Sequence, residues 1–384
     1  EIEVNSYGRI IREISRLDSK QGVDLQITLD LRLQEYALNL LNSYRAGSIV
    51  VMNINNGHIL SMASTPSYNP NKIIKKPNRE YWNSLLQNQL SPLTYRSIQG
   101  LYAPGSTFKM IVAIAGLYTG AINTKTNHFC NGKISLGNRL YHCWKNKGHG
   151  LVNVDDAIKE SCDVFFYEIS KKIGIDKIAE VAKDFGLGTI YDLPLNNQKG
   201  GIIPSKNWKK LKLGESWYPG ETLISAIGQG FVLVNPLQLA NMTSIIASDG
   251  KLVKPKIIND NSETNFKNLK KYENAIKIVK KSMYKVVNEN KGTAFKSKSE
   301  DIKFSGKTGT SQVRRITVAE RESDDFRKKE VEWNKRDHAL FVGYMPYDKP
   351  KYSISVVIEH GGSGASTAAP IAKQIFQFIN RAKI

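Results

Sequence analysis

Strand-like runs lie near both ends of this chain, and a long helical stretch separates them. Ser48 to Met52 and His58 to Ala63 flank Asn55-Asn56-Gly57, and Asn-Gly between apolar runs is the strongest short hairpin signal a sequence offers. Lys303 to Val313, Ala339 to Tyr344 and Tyr352 to Glu359 read as strands too. The two sets can share a sheet only by pairing at long sequence separation. The expected fold is therefore α/β, an antiparallel sheet of about five strands flanked by the intervening helices.

The helical candidates have clear punctuation. Asp30 can cap a helix over Leu31 to Leu41. Ser106 to Tyr118, set off by Pro104-Gly105 and closed at Gly120, is apolar nearly all round and reads as a helix buried on every side. Val154 to Ile173, Ile178 to Phe185 and Pro236 to Ser248 read as amphipathic, and Ser366 to Ala382 as an amphipathic closing helix. Gly361-Gly362-Ser363-Gly364 reads as a flexible connection into that last helix. Asn5 to Lys20 reads as short strand-like pieces, and no internal repeat is visible.

Composition excludes several classes. A hydrophobic fraction of 41% with 23% charged residues rules out collagen-like and wholly disordered chains. The longest apolar run, Met110 to Tyr118, falls well short of the roughly 20 residues a bilayer span needs. Lys and Arg number 55 against 35 Asp and Glu, a formal charge of +20. Such a charge steers toward nucleic acid, anionic lipid or an acidic polymer. The lysines are scattered among asparagines, however, with no basic helix or RNP-type aromatic block. Solvated charged faces are the simpler reading, and nucleic acid is not an expected partner. The charge-dense stretch Thr317 to Arg336 is read the same way.

Three short motifs carry chemistry. Ser106-Thr107-Phe108-Lys109 places a hydroxyl and an amine three positions apart at a helix start, where they share a face. A serine is a weak nucleophile until a base takes its proton, and a buried lysine can be that base. The same spacing recurs at Ser248 to Lys251, in a turn, and at Ser282 to Lys285, in a polar helix. Neither has an expected buried setting, so context favours Ser106. Ser161-Cys162-Asp163 opens the run Val164-Phe165-Phe166-Tyr167, where a serine is ordinarily a plain N-cap. Lys307-Thr308-Gly309-Thr310 follows Gly306 on a strand-like run: a cation with two hydroxyls suits a carboxylate, and the glycines would let a ligand backbone approach.

Taken in this order, the motifs match the S-x-x-K, S-D-N and K-T-G set of penicillin-recognising enzymes. The chain resembles the transpeptidase domain of class B penicillin-binding proteins, in the cell-elongation subgroup. The resemblance runs from about Val23 to the end, through Leu101-Tyr102-Ala103-Pro104-Gly105, Gly148-His149-Gly150, Ile227-Gly228-Gln229-Gly230 and Pro236-Leu237-Gln238 as well as the three motifs. It implies the penicillin-binding transpeptidase fold over residues 23–384, with residues 1–22 the tail of a non-catalytic pedestal. It implies Ser106 as acylated nucleophile, Lys109 as base, Ser161 as proton relay to the leaving amine, and Lys307 completing that network. Thr308, Gly309 and Thr310 would bind substrate, the two hydroxyls holding the terminal carboxylate, and the Ser106 and Thr310 N–H groups would form the oxyanion hole. Asp163 stands where the wider family has Asn; beside two lysines it is expected to stay ionised.

The implied activity is a D,D-transpeptidase that cross-links peptidoglycan stem peptides and is trapped by β-lactams, with no cofactor for catalysis. The implied location is the periplasmic face of the bacterial inner membrane, held by an N-terminal anchor outside this sequence, beside a SEDS-type membrane glycosyltransferase. A D,D-carboxypeptidase or serine β-lactamase would use the same serine, with water resolving the acyl-enzyme. A non-catalytic penicillin-binding sensor would acylate without peptide exchange.

The three cysteines form a separate pattern. Cys130, Cys143 and Cys162 with His149 read C-x12-C-x5-H-x12-C. Three thiolates and an imidazole make a closed tetrahedral zinc site, with His128 as reserve ligand; four protein ligands leave no open position, so such a zinc is structural and would position Ser161. A Cys130–Cys143 disulfide with Cys162 free, or three unrelated thiols, are the competing readings. Elongation-subgroup resemblance also implies a metal site beside the second motif.

Overall fold

The computed structural model describes residues 1–74, 78–259, 266–314 and 331–384. Most of the Thr317 to Arg336 stretch lies outside the described residues. Helix α1 (Leu31–Leu41) begins at the Asp30 cap, whose carboxylate accepts the Leu33 N–H, and is followed by strands β1 (Gly47–Asn53) and β2 (Ile59–Thr65). Strands β3 (Ser305–Ser311), β4 (His338–Met345) and β5 (Tyr352–Ile358) come from the other end of the chain.

All five form one sheet in the order β2-β1-β5-β4-β3, every neighbouring pair antiparallel. The long-range closure expected from the sequence is the β1–β5 pairing, with Ile49 opposite Val356 and Val51 opposite Ile354. Both faces of β1 are buried because helices cover both sides of the sheet. On one side, α1 buries Leu33, Ala37 and Leu41, spaced one turn apart. It lies against the closing helix, where Tyr36 stacks on Phe378 at 4.3 Å.

The closing helix runs over Ala369–Ala382 behind a π-helical turn at Gly364–Ala368. The glycines before it are not merely a flexible connection. A side-chain carbon on Gly364 would come within 2.3 Å of both the Gly309 and Leu340 carbonyl oxygens, so bare backbone there lets the turn sit on β3 and β4. At the other end, Ile2–Val4 and Ile10–Glu13 pair as a small exposed hairpin.

The opposite face of the sheet carries Pro236–Ala247, and the reading of that helix as amphipathic does not hold. All of its residues are buried, because it lies between the sheet and a helical lobe. Most of its polar side chains find partners inside the protein: Gln238 Nε2 donates to the carbonyls of Thr189 and Gly200, and the Ser244 and Ser353 hydroxyls meet at 2.7 Å. Helix α2 (Lys109–Tyr118) is buried from Lys109 to Gly116, as its all-round apolar sequence requires. Among the described residues, no helix is long and apolar enough to cross a membrane.

Candidate active site

The three motifs come together where α2, the helical stretch Val154 to Ile173 and β3 meet. Ser106 sits in a 3-10 turn, Gly105–Thr107, which leads straight into α2, and it stays partly exposed while Lys109 is fully buried. That turn is pressed into place by the Ile227-Gly228-Gln229-Gly230 segment. Gly105 N–H donates to the Gly228 carbonyl at 2.9 Å, and a side-chain carbon on Gly228, whose φ is +71°, would lie 2.2 Å from the Gly105 carbonyl oxygen. Gln229 Nε2 donates to the Thr310 carbonyl at 3.1 Å, so the same segment steadies β3. The motif was visible in the sequence, but nothing there tied it to either partner.

The expected continuous helix over Val154 to Ile173 is broken. Val154–Lys159 ends, Ser161 takes a left-handed conformation at φ +59°, and α3 (Asp163–Ile173) begins. A non-glycine residue in that region is uncommon and strained, and such residues cluster at functional sites. Ser161 is also no N-cap; that position is Cys162, which makes no side-chain cap bond. Instead, Cys143 Sγ accepts the Asp163 N–H at 3.4 Å from a different loop.

The break aims Ser161 at both lysines. Lys109 Nζ donates to Ser161 Oγ at 3.2 Å and to its carbonyl at 2.9 Å, while Lys307 Nζ lies 3.0 Å from the same hydroxyl. Lys109 also pairs with Asp163 Oδ1 at 2.6 Å and lies over the Phe166 ring. Asp163 Oδ2 accepts the Trp144 N–H at 2.8 Å, so both its oxygens are engaged by the protein itself. Burial pushes the Asp163 carboxyl above its ordinary value, and this works against the expectation that the lysines alone keep it ionised. Lys307 is pushed well below an ordinary lysine, by burial first and then by the neighbouring Lys109 charge.

On β3, Lys307 and Gly309 share a face. A side-chain carbon on Gly309 would come within 2.9 Å of the Pro104 carbonyl oxygen and of Thr107, so its smallness admits the protein's own nucleophile turn. This corrects the expectation that it opens space for a ligand backbone. Thr308 is nearly buried, and its hydroxyl meets that of Thr293 at 2.7 Å. Thr293 lies in no motif and was not legible in the sequence. Ser282 corrects the sequence reading again: it is fully buried, donating to Asp155 Oδ1 at 2.6 Å.

Cys130, Cys143, Cys162 and His149 converge, with their ligand atoms all within 4.8 Å of one another. The three cysteines are free, and His149 Nδ1 is 3.6 Å from both the Cys130 and Cys143 sulfurs. His128 is not in this group and packs edge-on against Phe165. Contact with the Cys162 sulfur pulls Cys130 down to about 6 and Cys143 much lower, while Cys162 itself rises. Burial opposes charge on His149, and the two flanking sulfurs outweigh it and raise the imidazole.

Comparison with known proteins places the chain in one family. The family model described as penicillin binding protein transpeptidase domain matches residues 47–377. The peptidoglycan D,D-transpeptidase MrdA of Salmonella typhimurium is 33% identical over 99% of this chain and 62% of its own length, so the chain spans about three fifths of that relative. Among solved structures, the penicillin-binding protein PBP2 of Helicobacter pylori in complex with MreC superposes with a TM-score of 0.86 at 32% identity, covering 99% of this chain and 68% of that one. PBP2 of Pseudomonas aeruginosa in complex with WCK 5153 gives 0.82 at 34% identity, covering 92% and 78%. The chain belongs to the penicillin-binding protein transpeptidase family.

Proposed function

We propose that this chain is a serine D,D-transpeptidase of peptidoglycan, acting in cell-wall elongation. The observation that carries the proposal is the convergence of Lys109 and Lys307 on Ser161, beside the partly exposed Ser106 in the turn that leads into α2. Lys109 first passes a proton to its partner Asp163, whose carboxyl is pushed above its ordinary value by burial; Ser106 Oγ then attacks the carbonyl of the penultimate D-Ala, and the neutral Lys109 amine takes its proton. The C–N bond then breaks, and the departing D-Ala amine takes a proton through Ser161. An amino group of a neighbouring stem peptide attacks the ester, and its proton returns to Ser106 by the same relay. Lys307, whose amine burial and the nearby Lys109 charge shift toward the neutral form, accepts and returns protons at Ser161. The N–H groups of Ser106 and Thr310 face the developing oxyanion, a role supported by the close approach of the two segments: a side-chain carbon on Gly105 would lie 2.6 Å from the Thr310 carbonyl oxygen. Thr308 and Thr310 hold the substrate's terminal carboxylate.

The cysteine group fits a structural zinc. Three buried sulfurs and one imidazole nitrogen within a single small volume are the donor set of a closed site. Cys130, Cys143, Cys162 and His149 would hold the ion, which supplies rigidity and no step of the reaction. That rigidity reaches Asp163 through the Cys143 sulfur and the adjoining Trp144 N–H. About one zinc per chain by elemental analysis is expected.

In the cell, we place the chain at the periplasmic face of the inner membrane, with residues 1–22 as the tail of a pedestal. A SEDS-type polymerase is the proposed partner, and the MreC complex of the Helicobacter pylori relative suggests a second.

The test is intact mass after incubation with a penicillin. A persistent one-drug adduct, absent in Ser106→Ala, together with exchange of D-Ala for an added amine on a stem-peptide substrate, is expected. Drug consumed without a lasting adduct would make the chain a β-lactamase, and an adduct without peptide exchange would make it a sensor.

A further inference from the structure

The Thr293–Thr308 hydrogen bond has a direction that the substrate fixes. A threonine hydroxyl has one hydrogen to donate and two lone pairs to accept with, whereas an ionised carboxylate only accepts. For Thr308 to bind a terminal carboxylate, its hydrogen must go to the substrate. The 2.7 Å contact with Thr293 must then be made by the Thr293 hydrogen.

We infer that Thr293 is a specificity-determining residue of the carboxylate subsite: its hydroxyl donates to Thr308 Oγ1 and thereby commits the Thr308 hydrogen to the carboxylate of the substrate. The inference rests on the proposed reading of Thr308 and deepens it.

Thr293 is held firmly enough for this. It follows helix α4 (Glu273–Asn288) in a tight turn. A side-chain carbon on Gly292 would lie 2.3 Å from the Val286 carbonyl oxygen and 2.6 Å from that of Lys285, so only glycine lets the turn fold back on the helix end. Ala294 N–H closes that turn onto the Val286 carbonyl at 3.0 Å. Thr293 N–H donates to the Lys159 carbonyl at 3.2 Å, and Lys159 ends the helix that precedes Ser161. The two helices are clamped further back, where Ser282 and Lys285 both bond the Asp155 carboxylate. Thr293 thus joins the proton-relay break to β3, while its side chain stays half-buried.

A purely structural role would leave discrimination untouched, and this separates the two. The experiment compares second-order acylation rates for benzylpenicillin and its methyl ester, in which the carboxylate is neutral, using the full chain. The wild type is expected to prefer the free acid. Thr293→Val, nearly isosteric but without a hydroxyl, is expected to lose about tenfold of that preference, the scale of one hydrogen bond to a charged group. Thr293→Ser is expected to restore it. Equal slowing of acid and ester in Thr293→Val, with their ratio unchanged, overturns the inference. Should Thr293→Val melt before the assay temperature, Thr293→Ala is read by the same ratio. A wild type that is acylated equally by acid and ester overturns the carboxylate reading of Thr308 itself, and absence of acylation overturns the proposed function.

Discussion

Ser106–Lys109 and Ser282–Lys285 are the same three-residue step, and in both the lysine meets an aspartate. Lys109 pairs with Asp163, and Lys285 with Asp155. The difference lies in what surrounds the serine. Ser282 is fully buried and spends its hydrogen on Asp155, with Ile278 O also within reach at 3.1 Å. Ser106 sits at a helix start, partly exposed, with a second hydroxyl and a second lysine gathered behind it. One step closes a helix–helix contact and the other opens toward solvent. The spacing brings the two groups within reach, and only the environment turns that into chemistry.

The largest break in this comparison is Lys109→Ala. Removing a positioned base slows acylation by about 10²–10⁴-fold, read as the second-order rate with a penicillin. A rate within tenfold of wild type would mean the proton of Ser106 leaves by another route.

Next comes Cys143→Ser, which acts on the surroundings of the catalytic step alone. It weakens the proposed zinc site and the sulfur that accepts the Asp163 N–H. Loss of an outer-shell partner alone typically reduces metal affinity or activity by about 10–100-fold, so loss of a direct ligand is expected to cost at least that. The expected result is loss of bound zinc together with slower acylation, measured on the same sample. Zinc lost with acylation unchanged would uncouple the cluster from the second motif.

The second lysine makes a pH-dependent distinction. Burial favours neutral Lys307 in the fold. Acylation is therefore expected to climb with pH through a value well below the ordinary lysine range and then level off, and Lys307→Arg should lack that limb. Stability follows the same group. Between the folded and the ordinary lysine value the unfolded chain binds the extra proton, so stability falls as pH falls across that window and is flat below it. Lys307→Met removes this penalty, on the order of 1.4 kcal/mol for each unit of depression, and should melt later while acylating poorly. An earlier melt would show that the lysine contributes more by packing than its burial costs.

How much of this was legible in the sequence follows from the range of each interaction. The α1 helix, the Asn-Gly hairpin and the three motifs are local patterns, and the sheet closure follows from where the strand-like runs lie. The cysteine group was legible because its residues are few and chemically distinct. The break at Ser161 was not, since no glycine marks its left-handed backbone. The full burial of Ser282 was hidden because its partner, Asp155, is 127 residues away. Pro236–Ala247 carries enough polar residues to look half-exposed, and their partners again lie far along the chain. Thr293 was invisible for the same reason: a lone threonine gains meaning only from the strand it touches.

The smallest expected effect sharpens the comparison most. Ser282→Ala removes a buried hydroxyl and leaves Lys285 with Asp155, so the carboxylate loses one donor and keeps one. The cost in stability is about 1.5–3 kcal/mol, the scale of a hydrogen bond to a charged group, read as a lower urea midpoint with an unchanged slope. Lys285→Ala leaves Ser282 as the remaining donor and should cost a similar amount, because both groups are only partly exposed. Acylation per folded molecule should fall less than tenfold in either variant, since neither side chain reaches Ser106 or Ser161. The double variant strips Asp155 of both donors and should cost more than the sum, because an acid with neither partner remains against the helix. Strict additivity would mean the two bonds act independently and that water already serves Asp155. A loss of acylation as large as that of Lys109→Ala would erase the distinction between the two steps.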